Sequence, residues 1–141
     1  MLAIRIANEQ TVLPVDRRRM RSAVRMILRD HGIASGEISV AVVDDATSAR
    51  LHREYLQEDG PTDVLSFPLE AADGYLEAEI VVSAETAAAA APRFGLTPGD
   101  ELLLYVIHGM LHLVGYDDTT PRQRAAMRSQ ERRYVARIGS C

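Results

Sequence analysis

The segment His108-Gly109-Met110-Leu111-His112-Leu113-Val114-Gly115-Tyr116-Asp117-Asp118 holds the residue types best suited to chemistry. His108 and His112 stand four apart in an apolar run, so on a helix both imidazoles project from one face. Two imidazoles so placed can grip one metal ion. Gly115 can take a positive φ and reverse the chain. Asp118, three residues on, can then return as a third ligand. A His2Asp set leaves one position open for water, as catalytic zinc sites commonly do. The same residues admit a structural reading. Paired histidines in an apolar helix can be hydrogen-bonded core residues, and Asp118, Asp117 or Thr119 can cap a following helix. Asp117 is also the competing third ligand, although its side chain should point differently from that of Asp118. In zinc-peptidase helices a Glu follows the first His and serves as general base. Gly109 occupies that place here. The set is better matched to a metal that lowers the pKa of its water and polarises a phosphoryl oxygen, which suits phosphodiester hydrolysis.

The elements that must position these residues follow from periodicity and breakers. Leu2, Ile4 and Ile6 alternate with Ala3 and Arg5 as a short strand. Pro14 opens a helix that runs to about Asp30, with Gly32 as its stop. Ile38 to Val43 reads as a buried strand, and Asp44 or Asp45 caps a helix holding Leu51, Tyr55 and Leu56. Asp59-Gly60-Pro61 breaks that helix. Val64 to Leu69 and Tyr75 to Val82 form two strands turning at Asp73-Gly74. Ala84 to Phe94, Asp100 to Val114 and Pro121 to Ile138 are three closing helices. The metal pair lies on the second of these, a buried helix closed by Gly115. Met20, Met26, Met110 and Met127 fall at helix positions and read as packing residues. The class is α+β: a small mixed sheet of about four strands covered by about five helices, in one domain spanning 1–141.

Composition narrows the classes. The chain has 141 residues, 47% apolar and 26% charged, which is the mix of a folded globular domain. One cysteine, Cys141, rules out an intramolecular disulfide. MLAIRIANEQ lacks a basic stretch followed by an apolar one, which predicts no signal peptide, and no apolar run approaches the ~20 residues of a membrane span. The net charge of −4 hides an acidic middle between two basic ends. Residues 119–141 carry six Arg against Glu131 alone, and all sixteen basic residues are Arg. The acidic total speaks against a general nucleic-acid binder while leaving room for a local Arg face on phosphates.

HGMLHLVGYDD resembles the signature of the YbeY endoribonucleases, a family of rRNA maturation factors, written His-Gly-x-Leu-His-Leu-x-Gly-Tyr-Asp-His. Pro61-Thr62-Asp63-Val64-Leu65-Ser66-Phe67-Pro68 resembles that family's second signature, and Glu79-Ile80-Val81-Val82-Ser83 its third. The resemblance covers nearly the whole chain, with the motifs in order. It implies a cytoplasmic, metal-dependent endoribonuclease acting on single-stranded RNA, in 3′-end maturation of small-subunit rRNA and in ribosome quality control. It implies rRNA and the ribosome or its small subunit as partners, with no membrane and no DNA. It also implies one Zn2+ per chain at the positions of His108, His112 and Asp118. Three places depart from the pattern: Asp118 stands for a His, Leu56 for an Arg suited to hold the scissile phosphate, and Leu51-His52 and Ala78 for Leu-Asn and Gly. A carboxylate third ligand also suits Mn2+ or another divalent ion. Arg53, one turn before Leu56, is the candidate catalytic substitute. Thr62, Asp63 and Ser66 are candidate substrate contacts, with a loop-pinning role as the plainer reading of the first two. Two alternatives keep the residues but change the class: a non-catalytic ribosome-associated factor, and a zinc-dependent peptidase.

Overall fold

The computed structural model describes residues 1–56 and 63–138. The Asp59-Gly60-Pro61 break, Thr62 and Cys141 therefore lie outside the described residues. Four strands form one sheet in the order β1-β2-β4-β3: β1 (Leu2–Asn8), β2 (Ser35–Val43), β3 (Val64–Ala72) and β4 (Tyr75–Ser83). β1 and β2 are parallel, β2 and β4 are parallel, and β3 runs antiparallel to β4 across the Asp73-Gly74 turn. Five α-helices accompany them: α1 (Arg17–Asp30), α2 (Asp45–Leu56), α3 (Ala84–Ala90), α4 (Pro98–Leu113) and α5 (Pro121–Ile138). The mixed α+β architecture expected from the sequence is the one observed.

Period-two alternation puts Ile38, Val40 and Val42 of β2 and Leu76, Ala78, Ile80 and Val82 of β4 on one face, all within a few per cent of complete burial. Against this face pack α1, through Met20, Ala23, Val24, Ile27 and Leu28, and α4, which is apolar nearly all round. Met127 and Tyr134 of α5 close the same core. Met20, Met110 and Met127 are buried, in keeping with packing roles. Truncating one fully buried side chain here, such as Ile107, costs about 2–5 kcal/mol. The opposite face carries a smaller cluster of Val43, Leu65 and Val81, packed by Leu51 of α2 and by Phe67.

Several boundaries differ from the sequence reading. α1 starts at Arg17, because the Asp16 carboxylate accepts the Arg19 N–H (3.1 Å) and leaves Pro14 outside the helix. Asp44, not Asp45, caps α2 by accepting the Thr47 N–H at 2.8 Å. That bond holds its carboxyl below the ordinary Asp range. Asp45 instead accepts the hydroxyls of Ser83 and Thr86, tying α2 to the start of α3. The Ala-rich helix ends at Ala90 and tightens into a 3-10 turn over Ala91–Phe94. Arg19 is the exception to a solvated Arg face: it is mostly buried and pairs with Asp100 of α4 at 3.0 Å. Among the described residues, no helix is long and apolar enough to cross a membrane.

Candidate metal centre

The site begins with how α4 is held. Thr97 caps it and Pro98 takes its first position. In its last two turns the helix lies hard against the sheet. A Cβ built on Gly109 would stand 2.9 Å from Ser66 Oγ, 3.0 Å from Val64 Cγ2 and 3.4 Å from Ile80 Cγ2. Gly109 therefore lets the helix approach β3 and β4. The Ser66 hydroxyl donates to the Gly109 carbonyl at 3.3 Å, fastening helix to strand. The position that carries the general base in zinc peptidases thus faces the sheet here and has no room for a Glu. A peptidase of that kind would lack its general base here.

With Gly109 turned inward, His108 and His112 face outward together, their ring centroids 5.3 Å apart. The chain leaves α4 through Gly115, whose φ of 114° is the left-handed geometry that glycine tolerates. Tyr116 then packs edge-on against His31, with centroids 5.8 Å apart, and His31 is itself pinned at the end of α1 by Ile27 O, 2.7 Å from its Nδ1. This reversal returns Asp118. Its Oδ2 lies 3.4 Å from His108 Nε2 and its Oδ1 3.4 Å from His112 Nε2. One donor atom from each of the three residues lies within 4.8 Å of the other two. Two ligands about 2.1 Å from a tetrahedral ion stand about 3.4 Å apart; each Nε2 meets that spacing to one oxygen of Asp118, so small adjustments of the side chains would let the three residues share one ion. Asp117 is directed elsewhere: its carboxylate is 3.9 Å from the other nitrogen of His112.

Asp118 is free for this role because capping is done by its neighbours. Thr120 Oγ1 accepts the Gln123 N–H, and Gln123 Oε1 accepts the N–H groups of Thr119 and Thr120 and the Thr119 hydroxyl. This is a capping box with Pro121 in the first helical position. The alternative reading, in which Asp118, Asp117 or Thr119 caps α5, is thus not the one adopted. The pattern Thr120-Pro121-Arg122-Gln123 carried the signal. Arg124 also braces the loop, donating to the carbonyls of Asp118 and Thr119 at 3.3 Å each.

Glu131 is the functional residue that the sequence reading missed. Its Oε2 lies 2.8 Å from His108 Nδ1, and its side chain is only 18% exposed. Nδ1–H donates to this carboxylate, so the Nε2 lone pair is presented towards Asp118. The Glu131 hydrogen bond raises the His108 pKa above the ordinary histidine value. Desolvation opposes the rise, while the charges of Glu131, Asp118 and Asp63 reinforce it. Glu131 stands alone as an acid among six Arg after residue 118, and that isolation was the available clue.

The softer candidates separate. Asp63 is exposed, accepts the Val64 N–H at 2.7 Å, and lines a cleft beside His108. Ser66 is half-buried and turned to α4. Arg53 is exposed on the last turn of α2 and does not line that cleft.

Comparison with known proteins agrees with this geometry. The sequence profile described as Endoribonuclease YbeY matches residues 5–139. The chain belongs to the endoribonuclease YbeY family. Among YbeY proteins, that of Rhodopirellula baltica is 49% identical over 110 residues, covering 77% of this chain and 57% of the relative. That of Micrococcus luteus is 36% identical over 146 residues, covering 97% of this chain and 92% of the relative. A Thermotoga maritima protein solved in solution superposes with a TM-score of 0.65 at 28% identity, over 96% of this chain and 88% of that one. The YbeY assignment and the His108–His112–Asp118 cluster thus rest on separate observations.

Proposed function

We propose that the protein is a metal-dependent endoribonuclease that cuts single-stranded RNA in the cytoplasm. Its role is in maturation of small-subunit rRNA and in ribosome quality control, and its substrate is presented on the ribosome or its small subunit. The observation that carries this reading is the convergence of two imidazole nitrogens and one carboxylate, backed by Glu131, in a chain of the YbeY family. Zn2+ is the ion that this set suits best, one per chain, with Mn2+ the alternative that Asp118 allows. When bound, such an ion supplies an acidified water and a Lewis acid for the phosphoryl oxygen.

The chain's own residues supply placement. His108, His112 and Asp118 hold the ion. Glu131 fixes the ring of His108, and Arg124 fixes the loop that delivers Asp118. Asp63, at the mouth of the adjoining cleft, is the candidate contact to the substrate strand. Ser66 acts through the placement of α4.

The test is cleavage of labelled single-stranded rRNA fragments by the purified protein, with and without chelator, beside His108→Ala and His112→Ala. Loss of cleavage in all three cases is expected. Cleavage that survives both substitutions refutes the metal mechanism, and ribosome co-sedimentation without any cleavage points to a non-catalytic factor.

A further inference from the structure

Beside the metal centre, along the same face of α4, lies a cleft of about 300 Å3. Its wall includes Leu104 and His108, and Asp63, Leu96 and Glu131 also border it. Two further lining residues have no structural duty. Phe94, at the end of the 3-10 turn, leaves a large apolar ring 66% exposed. Arg128 is exposed and makes no hydrogen bond or ion pair among the described residues. Its neighbours on the same face of α5 are committed: Arg124 braces the Asp118 loop and Glu131 braces His108. Arg128 sits between them, one turn from each.

An exposed aromatic ring and an uncommitted guanidinium across a small cleft are the pair that single-stranded nucleic acid uses, the ring for the base and the cation for the backbone. The cleft's size is at the lower end for small-ligand sites, about 300–1,000 Å3. Only an unstacked base presents a face to Phe94, so the arrangement selects single strands.

We propose that this cleft is a nucleotide subsite in which a base next to the scissile linkage stacks on Phe94 while its phosphate meets Arg128. The inference rests on the RNA-cleaving reading above. It adds a position on the strand that the metal ligands do not define, and it places that position on α5, away from Leu56.

The experiment is fluorescence anisotropy with the zinc-loaded full chain and a single-stranded oligoribonucleotide carrying phosphorothioate linkages that resist cleavage. Zinc content and thermal melts are measured on every variant. Phe94→Ala weakens binding by about 5- to 150-fold, the range for loss of one stacked base, and Phe94→Trp restores it. Arg128→Ala lowers affinity and reduces the slope of log affinity against log salt by about 0.7, the share of one phosphate contact on a single strand. Arg128→Lys keeps the slope. Wild-type affinity and slope in both alanine variants overturn the subsite while leaving the cleavage reading intact. Absence of RNA binding by the wild-type protein overturns both. Wild-type binding without cleavage of an unmodified strand, with affinity lost in the variants, supports the subsite and refutes the catalytic reading alone.

Discussion

Replacing Glu131 tests whether the carboxylate behind His108 tunes the metal centre. Glu131→Gln keeps an acceptor for Nδ1–H but removes the charge, and Glu131→Ala removes both. The contact is 2.8 Å, with the side chains 25% and 18% exposed. The pair is thus better shielded than the surface ion pairs worth about 0–1 kcal/mol. Losing the partner of a ligating histidine costs about 10–100-fold in metal affinity, about 1.4–2.7 kcal/mol. Alanine should fall near the upper end and glutamine near the lower. The sign of the pH dependence follows from the His108 pKa, which lies above 6.5 because of Glu131. A metal needs the unprotonated Nε2, so wild-type affinity is full above the raised pKa and falls as pH drops through it. Glu131→Gln brings the pKa back down, so its affinity holds to lower pH and the gap to wild type narrows in acid. Competition for Zn2+ against a chromophoric chelator from pH 8 to pH 6 reads both effects. Affinities within twofold of wild type at pH 8 for both variants would refute the reasoning, since far-UV dichroism reports separately whether α5 still forms.

Three further outcomes are expected. Gly109→Ala should destabilise the protein by about 1 kcal/mol, since overpacking of about 1–3 kcal/mol outweighs a helix-propensity gain of about 1; a urea midpoint at or above wild type would show that the α4–sheet contact can give way. Thr120→Ala should cost about 0.5–2 kcal/mol through loss of the α5 cap and also weaken metal binding, as measured by the same chelator competition. Asp30 accepts the buried Tyr134 hydroxyl and pairs with Arg137, which lowers its carboxyl pKa below 3.8. Its contribution is therefore present above about pH 4 and lost as pH falls through the lowered value, so the stability gap between wild type and Asp30→Asn should close between pH 5 and pH 2 in urea titrations.

The clustering of His108, His112 and Asp118 was legible because its logic is local. Four-residue spacing sets the two imidazoles on one face, and a glycine three residues before Asp118 supplies the reversal. Glu131 was not legible in that way. It meets His108 from 23 residues away, and only the packing of Met127 and Tyr134 decides which side of α5 faces α4. Ser66 shows the same limit: strand alternation told that it shares a face with Val64, but not that α4 would come close enough to use its hydroxyl. The early start of β2 was hidden by Gly36, which reads as a breaker. It sits at φ 137°, where a Cβ would fall 1.8 Å from the Leu76 carbonyl oxygen, so only a glycine allows the strand to pair there. Pro14 misled for the opposite reason, since a proline that suits a helix start was outcompeted by the Asp16 cap.

The three candidate metal donors all precede residue 119, yet what steadies them comes afterwards. Glu131 stands behind His108, Arg124 clasps the Asp118 loop, and Tyr134 moors their helix to Asp30 at the far end of α1. During synthesis, then, the donor set leaves the ribosome well before it is finished. A nascent chain halted just past Asp118 would carry all three candidate ligands and none of these braces, so the site is steadied only when α5 docks.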